Sequence, residues 1–139
     1  MVHVLINNKN AIYTLPLRIY IEDTDAGGIV FYANYLKFFE RARTEYFRVR
    51  GFELRKGLEN NINYVVHSLA VQYKKSAHLD DRVQVTAEVV TLGRTYLIFK
   101  QCVLNDQHEV LVEAEVKIAC LHFDTCKPQR LPQTLLEVL

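Results

Sequence analysis

Two carboxylates, Asp23 and Asp25, flank Thr24, and Gly27 and Gly28 follow at once. Acids so placed can accept a proton or attack a carbonyl carbon. Glycines beside them let backbone approach a ligand closely and permit positive φ. A helical period begins shortly after, at Asn34. A helix start carries unpaired N–H groups and the positive end of the helix dipole. A carboxylate next to such a start can attack a carbonyl or activate a water while the N–H groups polarise the carbonyl oxygen. The same residue types also make ordinary structure: acid–glycine loops are commonly turns, and an acid near a helix start is commonly a cap. Residue chemistry alone leaves both readings open.

The flanking segments must position that loop. Residues 14–21 (TLPLRIYI) are rich in β-formers, with Pro16 near the start of the run. Residues 22–34 (EDTDAGGIVFYAN) read as the loop. A helix is expected over about Asn34 to Arg50, where Tyr35, Phe38, Phe39, Ala42, Tyr46 and Val49 fall on one stripe. Lys37, Arg41, Thr44, Glu45 and Arg48 take the other side, with Arg41 and Glu45 spaced for an i,i+4 pair. Asn34 is placed as N-cap and Gly51 as the C-terminal stop. The remainder reads as strands over 63–75, 82–92, 95–104 and 109–122, with turns at Gly93-Arg94 and Asn105-Asp106-Gln107. Val65, Leu69, Val71 and Tyr73 are expected on one face of the first of these. Val83, Val85, Ala87 and Val89 alternate with Gln84, Thr86 and Glu88 in the second. Such alternation gives one buried and one wetter face, as in antiparallel sheet. One helix can cover one face of that sheet, with the sheet curling round it.

The chain of 139 residues fits one domain, 1–139. Half its residues are hydrophobic and a net charge of +1 offers no field for nucleic acid or an anionic membrane. Three cysteines, Cys102, Cys120 and Cys126, with no C-x-x-C, point to reduced thiols in a cytoplasmic protein. Cys102 and Cys120 are expected on apolar strand faces. Met1 to Asn10 lacks the pattern of a signal peptide, and no apolar run approaches the roughly 20 residues of a membrane span. His78, His108 and His122 have no partners at metal spacing, so neither a metal nor a cofactor is expected.

The stretch Arg18 to Glu45, RIYIEDTDAGGIVFYANYLKFFERARTE, resembles the signature of the 4-hydroxybenzoyl-CoA thioesterase family, and most closely its acyl-CoA thioesterase branch associated with the bacterial Tol-Pal system. The resemblance implies an α+β hot-dog fold, one long helix wrapped by a curved antiparallel sheet of about five strands, assembled into dimers or tetramers. It implies hydrolysis of acyl-CoA, with an acyl carrier protein as a further partner. Asp25 matches the family's catalytic acid, as nucleophile or general base. Tyr32 matches the backbone N–H that serves as oxyanion donor. Gly27 and Gly28 would shape the acyl pocket, and Asp23 would structure the loop. Many members of the Tol-Pal-associated branch carry histidine where this chain has Tyr32, so a mechanism needing an imidazole there does not transfer. Arg94 matches a basic stretch that contacts CoA phosphates, or it is a solvated turn charge; Lys127 and Arg130 are read as surface cations. Glu40 and Arg43 are expected to make structural pairs. His67 is an interior or interface histidine, or lines the acyl pocket. Two other readings of the fold stay alongside. A non-catalytic acyl-CoA or acyl-carrier-protein binding module would not need Asp25. A dehydratase would need a histidine that residues 22–34 lack.

Overall fold

The computed structural model describes residues 4–5 and 12–139. Apart from Val4 and Leu5, the segment expected to lack a signal peptide lies outside the described residues. The strands are β1 (Val4–Leu5), β2 (Tyr13–Arg18), β3 (Ile62–Tyr73), β4 (Arg82–Leu92), β5 (Tyr96–Leu104) and β6 (Val110–His122). All pair antiparallel, in the order β3-β6-β5-β4, with β2 along one half of β4 and β1 along the other. Pro16 falls within β2 rather than at its start. An edge strand tolerates it there, because one backbone edge needs no ladder donor.

The helix α1 (Asn34–Arg48) lies across this sheet, packed on β2 and β4. Its stripe of Tyr35, Phe38, Phe39, Ala42 and Tyr46 is buried as the period predicts. Val49 departs from it: it caps the helix end and is 61 % exposed, while Phe47 and Arg43 join the buried side. Gly51, at φ +86°, turns the chain back, and the Phe52 N–H donates to the Phe47 carbonyl at 2.9 Å. The N-cap is Ala33, not Asn34. Asn34 is the first helical residue, and its Nδ2 donates to the Asp23 carbonyl at 2.9 Å. Glu45 pairs with Arg48 at 3.1 Å rather than with Arg41, whose guanidinium stands 6.0 Å from the Phe38 ring centre.

Facing the helix, Val83, Val85, Ala87 and Val89 of β4 and Leu97, Phe99 and Val103 of β5 are all buried. The Tyr46 and Phe99 rings meet edge to face at 5.2 Å. Arg43 and Gln101 are buried polar residues in this layer. Arg43 Nη1 donates to Gln101 Oε1 at 2.9 Å, and Gln101 Nε2 donates to the carbonyls of Phe39 (3.0 Å) and Thr86 (3.2 Å). Removal from water pulls the Arg43 guanidinium down to about 10, still charged at neutral pH. Cys120 is buried, but Cys102 lies on the outer face beside Thr86, contrary to the alternation expected for it. The register of β3 slips between Val66 and Ser68, leaving His67 as a bulge. The extra residue reverses parity, so Ile62 and Tyr64 pack against the core before it and Val71 after it, and Val65 leaves that face. Two short helices, α2 (Leu54–Glu59) and α3 (Gln133–Leu136), were not expected; four to six residues carry too little periodicity to read.

Candidate active site

The acidic loop is a small, well-bonded structure. A 3₁₀ turn at Ile21–Asp23 leads in, and Asp23 Oδ2 accepts the Tyr20 N–H at 2.8 Å. Thr24 and Val30 then pair across a tight turn closed by Asp25 N–H to Ile29 O (2.9 Å) and Gly28 N–H to Asp25 O (3.1 Å). Asp25 Oδ1 accepts the Gly27 N–H at 2.8 Å, which orients an exposed carboxylate at the turn. Asp25 Oδ2 takes no hydrogen bond among the described residues. Both glycines are needed by this geometry. Gly28 sits at φ +77°, and a Cβ on Gly27 would stand 3.3 Å from Asp25 Oδ1.

The chain from the turn to α1 is pinned on both sides. The Val30 N–H donates to the Ala77 carbonyl at 2.9 Å, and the Leu79 N–H to the Gly28 carbonyl at 3.0 Å. The Phe31 N–H and Asn34 Nδ2 both reach the Asp23 carbonyl at 2.9 Å. Tyr35, buried, accepts the Ala77 N–H on its hydroxyl at 3.1 Å, and burial raises its phenol above the ordinary value. Between these ties, the N–H groups of Tyr32 and Ala33 meet no acceptor among the described residues. A carboxylate with a free oxygen and two free N–H groups at a helix start therefore belong to one short, braced segment. Such a set can activate a nucleophile and stabilise the oxyanion it generates.

Residues 27–112 match the family described as "Thioesterase superfamily". The chain belongs to the thioesterase superfamily. It is 37% identical over 128 residues to the acyl-CoA thioester hydrolase YbgC of Escherichia coli O6:H1, covering 92% of this chain and 96% of that one. It is 41% identical over 122 residues to the acyl-CoA thioesterase YbgC of Haemophilus influenzae, covering 87% and 89%. Its fold matches the crystal structure of a DHNA-CoA thioesterase from Staphylococcus aureus with TM-score 0.82 and 28% identity, covering 86% of this chain and 80% of that one. The hot-dog fold read from the signature is the fold of this thioesterase.

The other residues singled out in this thioesterase are placed unevenly. Tyr32 brings its backbone to the helix start, while the residue as a whole is 62 % exposed. His67 is exposed, not interior; it occupies the β3 bulge, with Nδ1 3.2 Å from Ser68 Oγ. The reason is topological, since β3 is an edge strand that pairs with β6 alone. Arg94 lies exposed in the turn after β4, and the acidic loop lies at the other end of that strand, where the Ile19 N–H meets the Asp81 carbonyl. Eleven strand residues span on the order of 33 Å, so one protomer does not bring Arg94 to Asp25. Arg94 and Arg130 instead line a shared surface cleft with Leu92, Leu131 and Leu136. Glu40 is exposed on α1, where its charge acts on the Arg43 guanidinium without a close ion pair among the described residues. Sequence reasoning missed Tyr73, whose hydroxyl donates to the Tyr32 carbonyl at 3.1 Å across 41 residues of chain. No local pattern signals a contact of that range.

Proposed function

We propose that the chain hydrolyses acyl-CoA thioesters to the free acid and CoA, with Asp25 as its catalytic group and the Tyr32 N–H as oxyanion donor. What supports the reading is the Asp25 carboxylate, held by one hydrogen bond and open at its other oxygen, in the braced segment that ends on the free Tyr32 N–H. As general base, Asp25 takes a proton from water and the oxygen bonds to the thioester carbon. The carbonyl oxygen becomes an oxyanion at the N–H. The C–S bond then breaks and the Asp25 proton passes to the departing thiolate. As nucleophile, the carboxylate itself bonds to the acyl carbon, CoA leaves, and water cleaves the mixed anhydride. Gly27 and Gly28 hold the loop open beside the acyl group. The pantetheine arm of an acyl carrier protein presents the same thioester to the same groups.

Asp25→Asn keeps the shape and removes both functions. Turnover is expected to fall by about 100-fold or more, while Asp23→Asn costs less because that carboxylate caps the preceding turn. Near-wild-type turnover in Asp25→Asn would refute the assignment. A single turnover in H₂¹⁸O tests the nucleophilic role: label in Asp25 marks an anhydride opened by water at the Asp25 carbon, whereas label in the product alone fits the general base or opening at the acyl carbon.

A further inference from the structure

The carbonyl of Tyr32 lies one residue before the N-cap Ala33, so the helix itself supplies it no N–H donor. The Leu36 N–H donates to the Ala33 carbonyl, at 3.2 Å. The Tyr32 carbonyl accepts from the Tyr73 phenol. Tyr73 ends β3 and is a firm support. It pairs with Val112 of β6, and the next two N–H groups, of Lys74 and Lys75, both donate to the Leu111 carbonyl at 2.8 and 3.0 Å. Its ring packs on Tyr35 at 5.7 Å and edge-on to Tyr32 at 6.1 Å. The hydroxyl is thus a strut from the sheet to the segment just before α1.

A trans peptide is planar, and its C=O and N–H point in opposite directions. Holding the Tyr32 carbonyl therefore aims the Ala33 N–H, which is free, directly away from Tyr73. The geometry points to Tyr73 as a positioning residue: its hydroxyl fixes the Tyr32–Ala33 peptide so that the Ala33 N–H joins that of Tyr32 in receiving the oxyanion. This rests on the catalytic reading above. Tyr73 touches no reacting atom and acts only through the peptide it holds.

Tyr73→Phe keeps the ring contacts and removes the strut. Losing one neutral hydrogen bond that aligns a donor should lower kcat by about three- to tenfold, less than the 10²–10³ of deleting an oxyanion donor outright. KM should stay within about twofold, as for an interaction made in the transition state alone. Two CoA analogues separate alignment from general damage. A thioether, with methylene in place of the carbonyl, should bind the variant as it binds the wild type. A trifluoromethyl ketone, which adds water to become tetrahedral, should lose affinity by the same factor as kcat. Equal weakening of both analogues would overturn the assignment. So would unchanged kcat and ketone affinity in Tyr73→Phe while Asp25→Asn is inactive, and the catalytic reading would then stand. Turnover in Asp25→Asn would overturn the acid's role alone, leaving the analogue comparison to judge Tyr73.

Discussion

At the scale of single residues, the two glycines of the acidic turn do different work. Gly28 is required by its backbone: at φ +77° a side chain is strained whatever the space around it. Gly28→Ala should cost about 1 kcal/mol of stability, read as a lowered urea midpoint. Gly27 carries no such strain, but its missing Cβ leaves room for Asp25 Oδ1 at 3.3 Å. Gly27→Ala should therefore turn the carboxylate while leaving the fold nearly as stable. A kcat loss of about tenfold with little change in urea midpoint is expected, since small misplacements of a reacting group are costly. The opposite pattern, lost stability with intact turnover, would remove Gly27 from any role in aiming the acid.

At the scale of elements, α1 is held to the sheet by aromatic packing and by one polar bridge. Gln101 satisfies a buried guanidinium and two backbone carbonyls at once. Gln101→Leu matches its size but leaves the Arg43 charge without that acceptor. Removing one partner of a buried charged group costs about 3 kcal/mol, so chemical denaturation should show a loss of that order. Arg43→Met combined with Gln101→Leu should recover much of it, because the uncompensated charge is then gone. Failure of the double variant to recover would mean that the bonds from Gln101 to Phe39 and Thr86 matter more than the guanidinium.

At the scale of the molecule, β3 is an edge of the sheet. Its outer side has no strand beside it among the described residues, and Val66, Leu69 and Tyr73 are 44 %, 42 % and 47 % exposed. A long apolar edge of this kind invites a second strand. Sedimentation at micromolar concentration should show a dimer or larger, and Leu69→Lys should shift it toward monomer. A stable wild-type monomer would refute the assembly. Assembly also decides Arg94. β4 carries it far from the acidic loop of its own chain, so the proposed phosphate contact calls for a site completed by another copy. Arg94→Ala should then raise KM for acyl-CoA at constant kcat and spare short thioesters that lack the nucleotide. An unchanged KM would leave it the solvated turn charge.

Much of the fold was legible in the chain because it rests on short-range periods. The alternation in β4 and the stripe of α1 repeat every two or every 3.6 residues, and burial follows them. The acidic turn was legible as well, since Asp25, Gly27 and Gly28 interact within four residues of chain. What local pattern did not carry depends on register and distance. The His67 bulge reversed the parity of β3, because a one-residue slip is invisible to composition yet moves every side chain to the other face. The Arg43–Gln101 bridge spans 58 residues and the Tyr73–Tyr32 strut 41. Chain spacing says nothing about such pairs, and tertiary structure alone, by laying α1 and its entrance against β3, β4 and β5, decided which side chains would meet the site.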